Sequence, residues 1–324
     1  MPFAIRLYQT GGPENLRWEE VQVGDPGPGE VRVRNTAVGL NFIDTYHRSG
    51  LYPVPLPTTI GVEGAGVVDA VGPKVKEFKK GDRVVYANPI GAYAELCLRP
   101  AERLVKIPAG IDDKVAAAIM LKGMTAWYLV RRTYAVKKGD TVLVHAAAGG
   151  VGQILSQWAK HLGATVIGTV GSDDKVEAAR KAGCKEIIVT SKENLVDRVK
   201  AITKGAGVPV VYDGVGKATF LASLDCLRPL GLMVSYGNAS GPVDPLNIGL
   251  LSQKGSLFLT RPTLFTYTAK REDLLKAAGE LFALVKKKVV KIAINQTYPL
   301  REAAAAHRDL EARKTTGSTV LLPG

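Results

Sequence analysis

The glycine-rich turn within residues 141–160 constrains the fold of this chain more than any other feature. A β-branched run leads into Ala-Ala-Ala-Gly-Gly-Val-Gly, and a helical pattern follows directly. Gly149, Gly150 and Gly152 let backbone amides approach a pyrophosphate, and the positive end of the helix faces that charge. This order predicts a dinucleotide site, although Ala147 replaces the first glycine of the usual pattern. The alternative is a tight turn that binds no ligand.

The segments after this turn alternate between strand and helix patterns. Strand patterns cover residues 164–169, 186–189, 208–212, 232–235 and 257–260, and helix patterns cover residues 172–182 and 194–203. Strands that alternate with helices predict an α/β fold with a doubly wound parallel sheet.

The chain of 324 residues is longer than one hydrophobic core usually supports, so we expect two domains. Before residue 122, short apolar segments alternate with glycine and proline turns, which is typical of a small β barrel. After residue 263 two helix patterns and a final strand pattern are too few to fold alone. We therefore expect a domain of residues 1–122 plus 264–324, with a nucleotide domain of residues 123–263 inserted in it. The cleft between two such domains is where we expect the reaction.

Composition excludes some classes of protein and leaves one open. No run is long and apolar enough to span a membrane, and the first 16 residues lack the layout of a signal peptide, so we expect a cytoplasmic protein. The three cysteines show neither metal nor redox spacing. A net charge of +13 keeps nucleic-acid binding open as an alternative. Against it, the basic residues are scattered, and the densest cluster, residues 286–288, ends a helical pattern where cations are favoured.

Several motifs together resemble the NADPH:quinone oxidoreductases, the zinc-free, zeta-crystallin-like branch of the medium-chain dehydrogenase/reductase superfamily. They are Gly-Leu-Asn-Phe-Ile-Asp at 39–44, Ser-Gly-Leu-Tyr at 49–52, Gly-Val-Glu-Gly-Ala-Gly at 61–66, the glycine loop, Tyr-Gly-Asn at 236–238 and Thr-Gly-Ser at 316–318. The resemblance covers essentially the whole chain. It implies a Rossmann domain inserted into a GroES-like β-barrel catalytic domain. It also implies a homodimer in which residues 255–260 pair across a two-fold axis.

Aligned with zinc alcohol dehydrogenases, the three positions of the catalytic metal ligands hold Asn41, Val62 and Leu121. Zinc prefers cysteine, histidine and carboxylate ligands, so we expect no metal site. Without a metal to ionise an alcohol, the favoured acceptor is already electron-poor. A quinone fits, and so does the conjugated double bond of an enone, because each accepts hydride from a reduced nicotinamide. An enone or alkenal reductase is therefore the closest alternative activity, and binding of AU-rich RNA on the same fold is a second one.

The resemblance also implies which residues form the site. Asn41, Tyr46 and Tyr52 are candidates for the catalytic region, and Asp44 is interpreted as a structural partner. The expected cofactor-binding residues are Asn41, Tyr46, Thr125, Ala148, Gly149, Gly150, Val151, Gly171, Ser172, Lys175, Tyr236, Gly237, Asn238, Arg261 and Arg313.

The expected cofactor is NADPH, because the end of the second strand lacks the carboxylate that holds the ribose of NAD. That position falls on Val170 and Gly171, and Ser172 and Lys175 are placed to receive a 2′-phosphate. Two features favour the opposite choice. Asp173 and Asp174 lie close by, and Thr190 stands where relatives often have a phosphate-binding tyrosine.

Overall fold

The computed structural model describes all residues from Met1 to Gly324. Numbered along the chain, the strands are β1 (Phe3–Leu7), β2 (Leu16–Glu20), β3 (Glu30–Leu40), β4 (Thr58–Thr59), β5 (Glu63–Val71), β6 (Arg83–Ala87), β7 (Leu96–Pro100), β8 (Val105–Lys106), β9 (Thr141–Val144), β10 (Thr165–Val170), β11 (Glu186–Val189), β12 (Val208–Asp213), β13 (Leu227–Ser235), β14 (Phe258–Thr260), β15 (Ile294–Pro299) and β16 (Ser318–Leu322).

The α-helices are α1 (Phe42–Ser49), α2 (Asp113–Ala117), α3 (Met120–Tyr128), α4 (Gly150–His161), α5 (Val176–Lys181), α6 (Leu195–Ile202), α7 (Phe220–Cys226), α8 (Gly249–Gln253), α9 (Leu264–Tyr267), α10 (Arg271–Lys286) and α11 (Ala303–Glu311). None of them is both long and apolar enough to cross a membrane.

The chain divides into two compact units. The first unit comprises Met1–Met124, Thr268–Lys286 and Ile292–Gly324, and the second comprises Thr125–Tyr267 and Lys287–Lys291. The sequence places the changeovers at 122/123 and 263/264, whereas the units change over at 124/125, inside α3, and at 267/268.

The second unit is built on a six-stranded sheet in the order β11-β10-β9-β12-β13-β14, and all of its strand pairs are parallel. Every residue of β12 is buried, as expected for a strand covered on both faces. The strand order reverses direction between β9 and β12, which lie side by side. In doubly wound sheets, the carboxyl ends of strands at such a reversal form the ligand crevice.

The first unit contains a seven-stranded sheet, in which β3 is the central element. Strand β3 pairs antiparallel with β5, β7 and β16, and its pairing with β5 is interrupted by two register shifts. A separate three-stranded sheet has the order β2-β1-β4. The core packed by these strands includes Ile5, Val33, Tyr93 and Leu300, and α11 adds Ala303 and Ala306. The returning tail therefore belongs to the same core as the first hundred residues.

Helix α1 follows β3 directly and starts at an Asn-x-x-Asp sequence. The Asp44 carboxylate accepts the backbone N–H of Asn41 at 2.9 Å, which is half of a capping box at the helix N-terminus. The helix ends at Gly50, whose φ of 84° suits glycine. Asn41 is consequently fixed where the longest strand of the sheet passes into a helix.

Candidate active site

The glycine loop of the second unit connects β9 to α4. A Cβ on Gly152 would lie 2.2 Å from the carbonyl oxygen of Ala146, so only glycine lets the helix pack this close to the strand end. The Gln153 side chain donates to the carbonyl of Ala148 at 2.8 Å, which holds that oxygen against the helix. The first amides of a helix have no partner within the helix. The amides at Gly150 and Val151 therefore provide donors for an anion.

Space for a dinucleotide continues past the end of β10. No heavy atom lies within 4 Å of a Cβ built on Gly171. No carboxylate follows β10 until Asp173. The open position and the glycine loop, on neighbouring strands, fit the pyrophosphate and the adenosine ribose of a dinucleotide.

The sequence analysis missed a histidine below this loop. His145 is fully buried, with Nδ1 3.0 Å from Thr169 Oγ1 and Nε2 2.9 Å from Ser223 Oγ. Because the Ser223 hydroxyl donates to the carbonyl of Thr219, Nε2 must donate to Ser223 and Nδ1 must accept from Thr169. Burial lowers the pKa of His145, which favours this neutral form. The imidazole thus links the ends of β9 and β10 to α7.

The loops after β12 and β13 contact each other closely. A Cβ on Gly237 would lie 2.3 Å from the carbonyl oxygen of Gly214. At Gly214 a Cβ would meet the Tyr236 ring at 2.9 Å, so a larger residue there requires that ring to move. Arg261 donates to the carbonyl of Ser235 at 2.7 Å and holds the start of this loop. The sequence-predicted residues 236–238 therefore lie at the carboxyl edge of the sheet.

Four polar side chains after β10 and β11 could influence the choice between NADPH and NADH, namely those of Asp173, Lys175, Thr190 and Lys192. The Thr190 hydroxyl donates to the carbonyl of Val170 at 3.2 Å. The Asp173 carboxylate forms an ion pair with Lys192. Lys175 ends the short 3-10 helix Asp173–Lys175.

In the first unit, the orientation of the Asn41 amide is determined by its partners. Its Nδ2 donates to Glu63 Oε2 at 2.8 Å and to the carbonyl of Gly39 at 3.3 Å. The other oxygen of Glu63 accepts the backbone N–H of Leu121 at 2.8 Å, and the Lys122 ammonium lies 3.3 Å from Oε2. Because a carboxylate and a carbonyl only accept hydrogen bonds, the NH₂ group must face them. The Asn41 side chain can therefore act only as an acceptor towards a ligand.

The positions aligned with the zinc ligands do not form a donor set for that metal. Val62 is fully buried and apolar, Leu121 contributes its backbone N–H, and both hydrogens of the Asn41 amide are used. Nowhere in the chain do three or more His, Cys, Asp or Glu side chains form a group able to hold a metal ion. The residues present do not fit zinc, which needs thiolate, imidazole or carboxylate ligands.

A second buried chain of hydrogen bonds runs from helix α1 to helix α11. Arg48 NH1 lies 3.2 Å from His307 Nδ1, His307 Nε2 lies 3.0 Å from the Tyr93 hydroxyl, and that hydroxyl donates to Asp44 Oδ2 at 3.0 Å. Arginine can only donate, so Nδ1 of neutral His307 accepts and Nε2 carries the proton. All donors in the chain therefore point towards Asp44.

Asp44, at one end of this chain, and His307, within it, have pKa values shifted in opposite directions from their usual ranges. Burial raises the pKa of Asp44 to about 7 against the lowering effect of its hydrogen bonds. Burial, followed by the nearby Arg48 charge, lowers the pKa of His307 to about 3. Oδ1 of Asp44 is buried with no hydrogen-bond partner. Asp44 thus contacts the Asn41 backbone and the Tyr93 hydroxyl, and its structural role stays a prediction.

The structure brings the two candidate tyrosines together. The rings of Tyr46 and Tyr52 pack edge to face with centroids 5.2 Å apart, and the Tyr52 amide donates to the carbonyl of Tyr46 at 3.1 Å. Tyr46 is buried on α1, one turn beyond Asn41. Arg313 also lies in the first unit, after α11, whereas Thr125 is a buried residue of α3 in the second unit.

A Rossmann sheet with this loop, inserted into a unit of mostly antiparallel strands, is the architecture of the medium-chain dehydrogenases and reductases. Residues 27–109 match the family model described as alcohol dehydrogenase GroES-like domain, and residues 150–283 match the model described as zinc-binding dehydrogenase. These matches confirm the predicted fold class.

Relatives that are similar along their full length show which family within this superfamily the chain resembles most. A quinone oxidoreductase of Pseudomonas aeruginosa is 58% identical, with 98% of this chain and 99% of that protein covered. A 2-haloacrylate reductase of a Burkholderia species is 51% identical, with 100% and 99% covered. The crystal structure of Escherichia coli quinone oxidoreductase complexed with NADPH superposes with a TM-score of 0.98 at 50% identity, covering 99% of this chain and 100% of that one. The chain belongs to the quinone oxidoreductase family.

Proposed function

We propose that the protein is a reductase that uses NADPH to reduce quinones without a metal ion. The observation that carries this proposal is the pairing of the glycine loop with an open, carboxylate-free position at Gly171. The family supports it, because a relative 50% identical binds NADPH in its crystal structure.

NADPH supplies the hydride when bound, and the protein supplies binding and orientation. The amides at the start of α4 bind the pyrophosphate, with Ala148, Gly149, Gly150 and Val151 forming the loop. Gly171, Ser172 and Lys175 accommodate the phosphorylated ribose. Thr125, Tyr236, Gly237, Asn238, Arg261 and Arg313 complete the proposed cofactor-binding set.

At the reacting end we place Asn41, which presents a fixed hydrogen-bond acceptor, together with Tyr46 and Tyr52. An acceptor of this kind orients an N–H or O–H group and cannot stabilise a developing anion. The proton that completes reduction of the quinone must then come from another donor, such as a tyrosine hydroxyl or water. The contacts of Asn41 support an orienting role for it.

Reduction of a conjugated double bond is the second candidate activity. It is favoured by the 2-haloacrylate reductase relative, which is 51% identical over the full length of both chains. Hydride transfer to a polarised double bond would use the same cofactor and the same residues.

We also propose a cytoplasmic homodimer joined at β14. This strand is the last of the second sheet, so one side of its backbone lacks a partner within the sheet. Phe258 is 60% exposed, and the nearby sheet residue Leu230 is 66% exposed. The three cysteines are all buried and unpaired, which suits a reducing compartment.

The proposal is tested by following the oxidation of NADPH by its absorbance across a panel of quinones, enones and simple aldehydes. Quinones should give the highest kcat/KM, and enones a lower but measurable value. Turnover of enones alone would favour the second candidate. Turnover of neither, by protein that is folded, would refute both. An RNA shift assay at several salt concentrations tests the remaining alternative from the sequence.

A further inference from the structure

The adenosine end of the proposed NADPH site contains two carboxylates, although the phosphate that it would bind is negatively charged. Asp173 and Asp174 stand three and four residues after the end of β10, near the place where a nucleotide that binds the glycine loop would put its ribose. The 2′-phosphate of NADPH carries about two negative charges at neutral pH. Two carboxylates beside it would oppose its binding, with Lys175 alone to offset them.

Lys192 changes this balance. It follows β11, which pairs in parallel with β10 so that Val170 lies beside Val189, and the two strand ends share one edge. Its ammonium group forms an ion pair with the Asp173 carboxylate. The Lys192 amide donates to the carbonyl of Val189 at 2.9 Å, which fixes its backbone in the turn after β11.

Other polar groups on this turn are directed elsewhere. The Thr190 hydroxyl donates to the carbonyl of Val170. Glu193 forms an ion pair with Arg198 at 2.7 Å and accepts the Val189 amide at 2.9 Å. Lys192 is therefore the group that neutralises Asp173. With it, two carboxylates and two ammonium groups balance at the strand ends, whereas without it one negative charge is in excess.

We infer that Lys192 is a specificity-determining residue for the 2′-phosphate, because it cancels the charge of Asp173 at the ends of β10 and β11. This inference rests on the proposed use of NADPH. It assigns the preference for NADPH over NADH, which the sequence leaves open, to the ion pair between Lys192 and Asp173. Lys192 acts through electrostatics over a few ångströms, so its effect must depend on charge and on salt.

The test compares dissociation constants of NADPH and NADH, measured by nucleotide fluorescence with the full-length protein. Lys192→Ala should weaken NADPH binding about three- to tenfold at low ionic strength, and under twofold at about 0.5 M salt. NADH should bind unchanged or slightly more tightly, since it has no phosphate there. Lys192→Arg, which keeps the charge, should bind both nucleotides like the wild type.

Two further variants separate local charge from other causes. Lys192→Ala combined with Asp173→Ala restores the balance and should return NADPH affinity to within about twofold of wild type. Lys181→Ala removes an exposed lysine that pairs with Glu177 on α5, and it controls for net charge alone. It should change neither constant.

The outcomes distinguish this inference from the function on which it rests. Wild type that binds NADPH no better than NADH would refute the preference itself. A preference for NADPH that Lys192→Ala leaves intact would overturn the role of Lys192 and leave the function standing. A loss that the double variant does not recover, or that Lys181→Ala reproduces, would equally overturn it.

Discussion

The Asn41 amide nitrogen lies 2.8 Å from the Glu63 carboxylate, which is fully buried and paired with Lys122. In the alignment with zinc alcohol dehydrogenases, Asn41 stands at the position of a metal ligand. Here an ammonium–carboxylate pair and an amide fill the surroundings of that position. The buried charges are satisfied by each other and by backbone groups, as buried ions require.

Replacing Asn41 with aspartate should make stability depend on pH in a predictable direction. Asn41→Asp adds a carboxyl group next to Glu63, and a neighbouring carboxylate raises the pKa of the new group above its unfolded value of about 3.9. The folded state then holds a proton that the unfolded state has lost. The free energy of unfolding, relative to wild type, should therefore fall as pH rises above about 4, by up to about 1.4 kcal/mol per pH unit.

Urea unfolding at a series of pH values measures this effect. Asn41→Ala is the matched control, because it removes the same hydrogen bond and adds no charge. Its difference from wild type should stay constant with pH. If the aspartate and alanine variants run parallel, the carboxylate of Glu63 does not face position 41.

Asp44 and His307 should oppose each other in the pH dependence of stability. Burial raises the pKa of Asp44 to about 7, so its contribution to stability falls as pH rises from its unfolded value towards 7. Burial lowers the pKa of His307 to about 3, so its contribution rises with pH from there up to its unfolded value of about 6.5. Between about pH 4 and pH 6.5, the effects of Asp44 and His307 on the free energy of unfolding therefore have opposite signs and cancel.

In Asp44→Asn, the pH dependence of stability that comes from His307 should no longer be cancelled. Asparagine can still accept from the Asn41 amide and the Tyr93 hydroxyl, so the chain of hydrogen bonds survives. Relative to wild type, the free energy of unfolding of the variant should rise with pH between about 4 and 7, by up to about 1.4 kcal/mol per pH unit. Calorimetry at matched pH values checks this, and a constant difference would mean that Asp44 is ionised throughout.

Activity should not depend on a metal ion. Dialysis against a strong chelator is expected to leave NADPH oxidation unchanged, because the aligned positions Asn41, Val62 and Leu121 provide no ligand set for zinc. Metal content is measured on the same sample by mass spectrometry. Stoichiometric zinc, with activity lost on its removal, would contradict the expectation.

Two glycine-to-alanine substitutions should have opposite effects on the stability of the protein. In Gly152→Ala, the new methyl group would meet the Ala146 carbonyl at 2.2 Å, so the variant should lose about 1–3 kcal/mol of stability and bind NADPH more weakly. In Gly279→Ala, on α10, no atom lies within 4 Å, and the variant should gain about 0.5–1 kcal/mol. Thermal unfolding and nucleotide titration report both, and equal effects would argue against close packing of the loop.

A charge on the outer strand should prevent assembly at β14. Phe258→Lys places an ammonium group on the exposed edge and should convert a dimer into a monomer, since charged edges resist strand pairing. Sedimentation measures the mass, and Phe258→Leu serves as an apolar control. A monomeric wild type would refute the proposed dimer.

The sequence predicts the parallel sheet well because its inner strands β9, β10 and β12 are almost entirely buried. Strand β11 was predicted at its observed bounds, Glu186–Val189, and β12 was predicted one residue short. Strand β15 was missed because Ile294–Pro299 is polar and half-exposed, and it forms a strand through its pairing with β16. Helix α1 was missed because its eight residues include β-branched and aromatic side chains with low helix propensity.

The buried polar chains could not be predicted from local patterns. Glu63 and Lys122 are separated by 59 residues, and Arg48 and His307 by 259, so only the tertiary fold brings them together. The sequence does indicate that Glu63 and Lys122 have partners, because a charged residue in an apolar strand or an apolar helix is rarely buried unpaired. The sequence does not say which partner each one finds.

Because β16 is the last strand in the chain and lies between β15 and β3, the sheet of the first unit is completed only at the end of synthesis. All six strands of the second sheet, β9 to β14, leave the ribosome before Ser318–Leu322 is made. That sheet can therefore form during translation, whereas the neighbouring strand of β3 at Val38–Leu40 is the last to emerge. A chain that stops short of Ser318 would be released with its nucleotide-binding sheet complete and with unpaired backbone along β3, on which chaperones and proteases act.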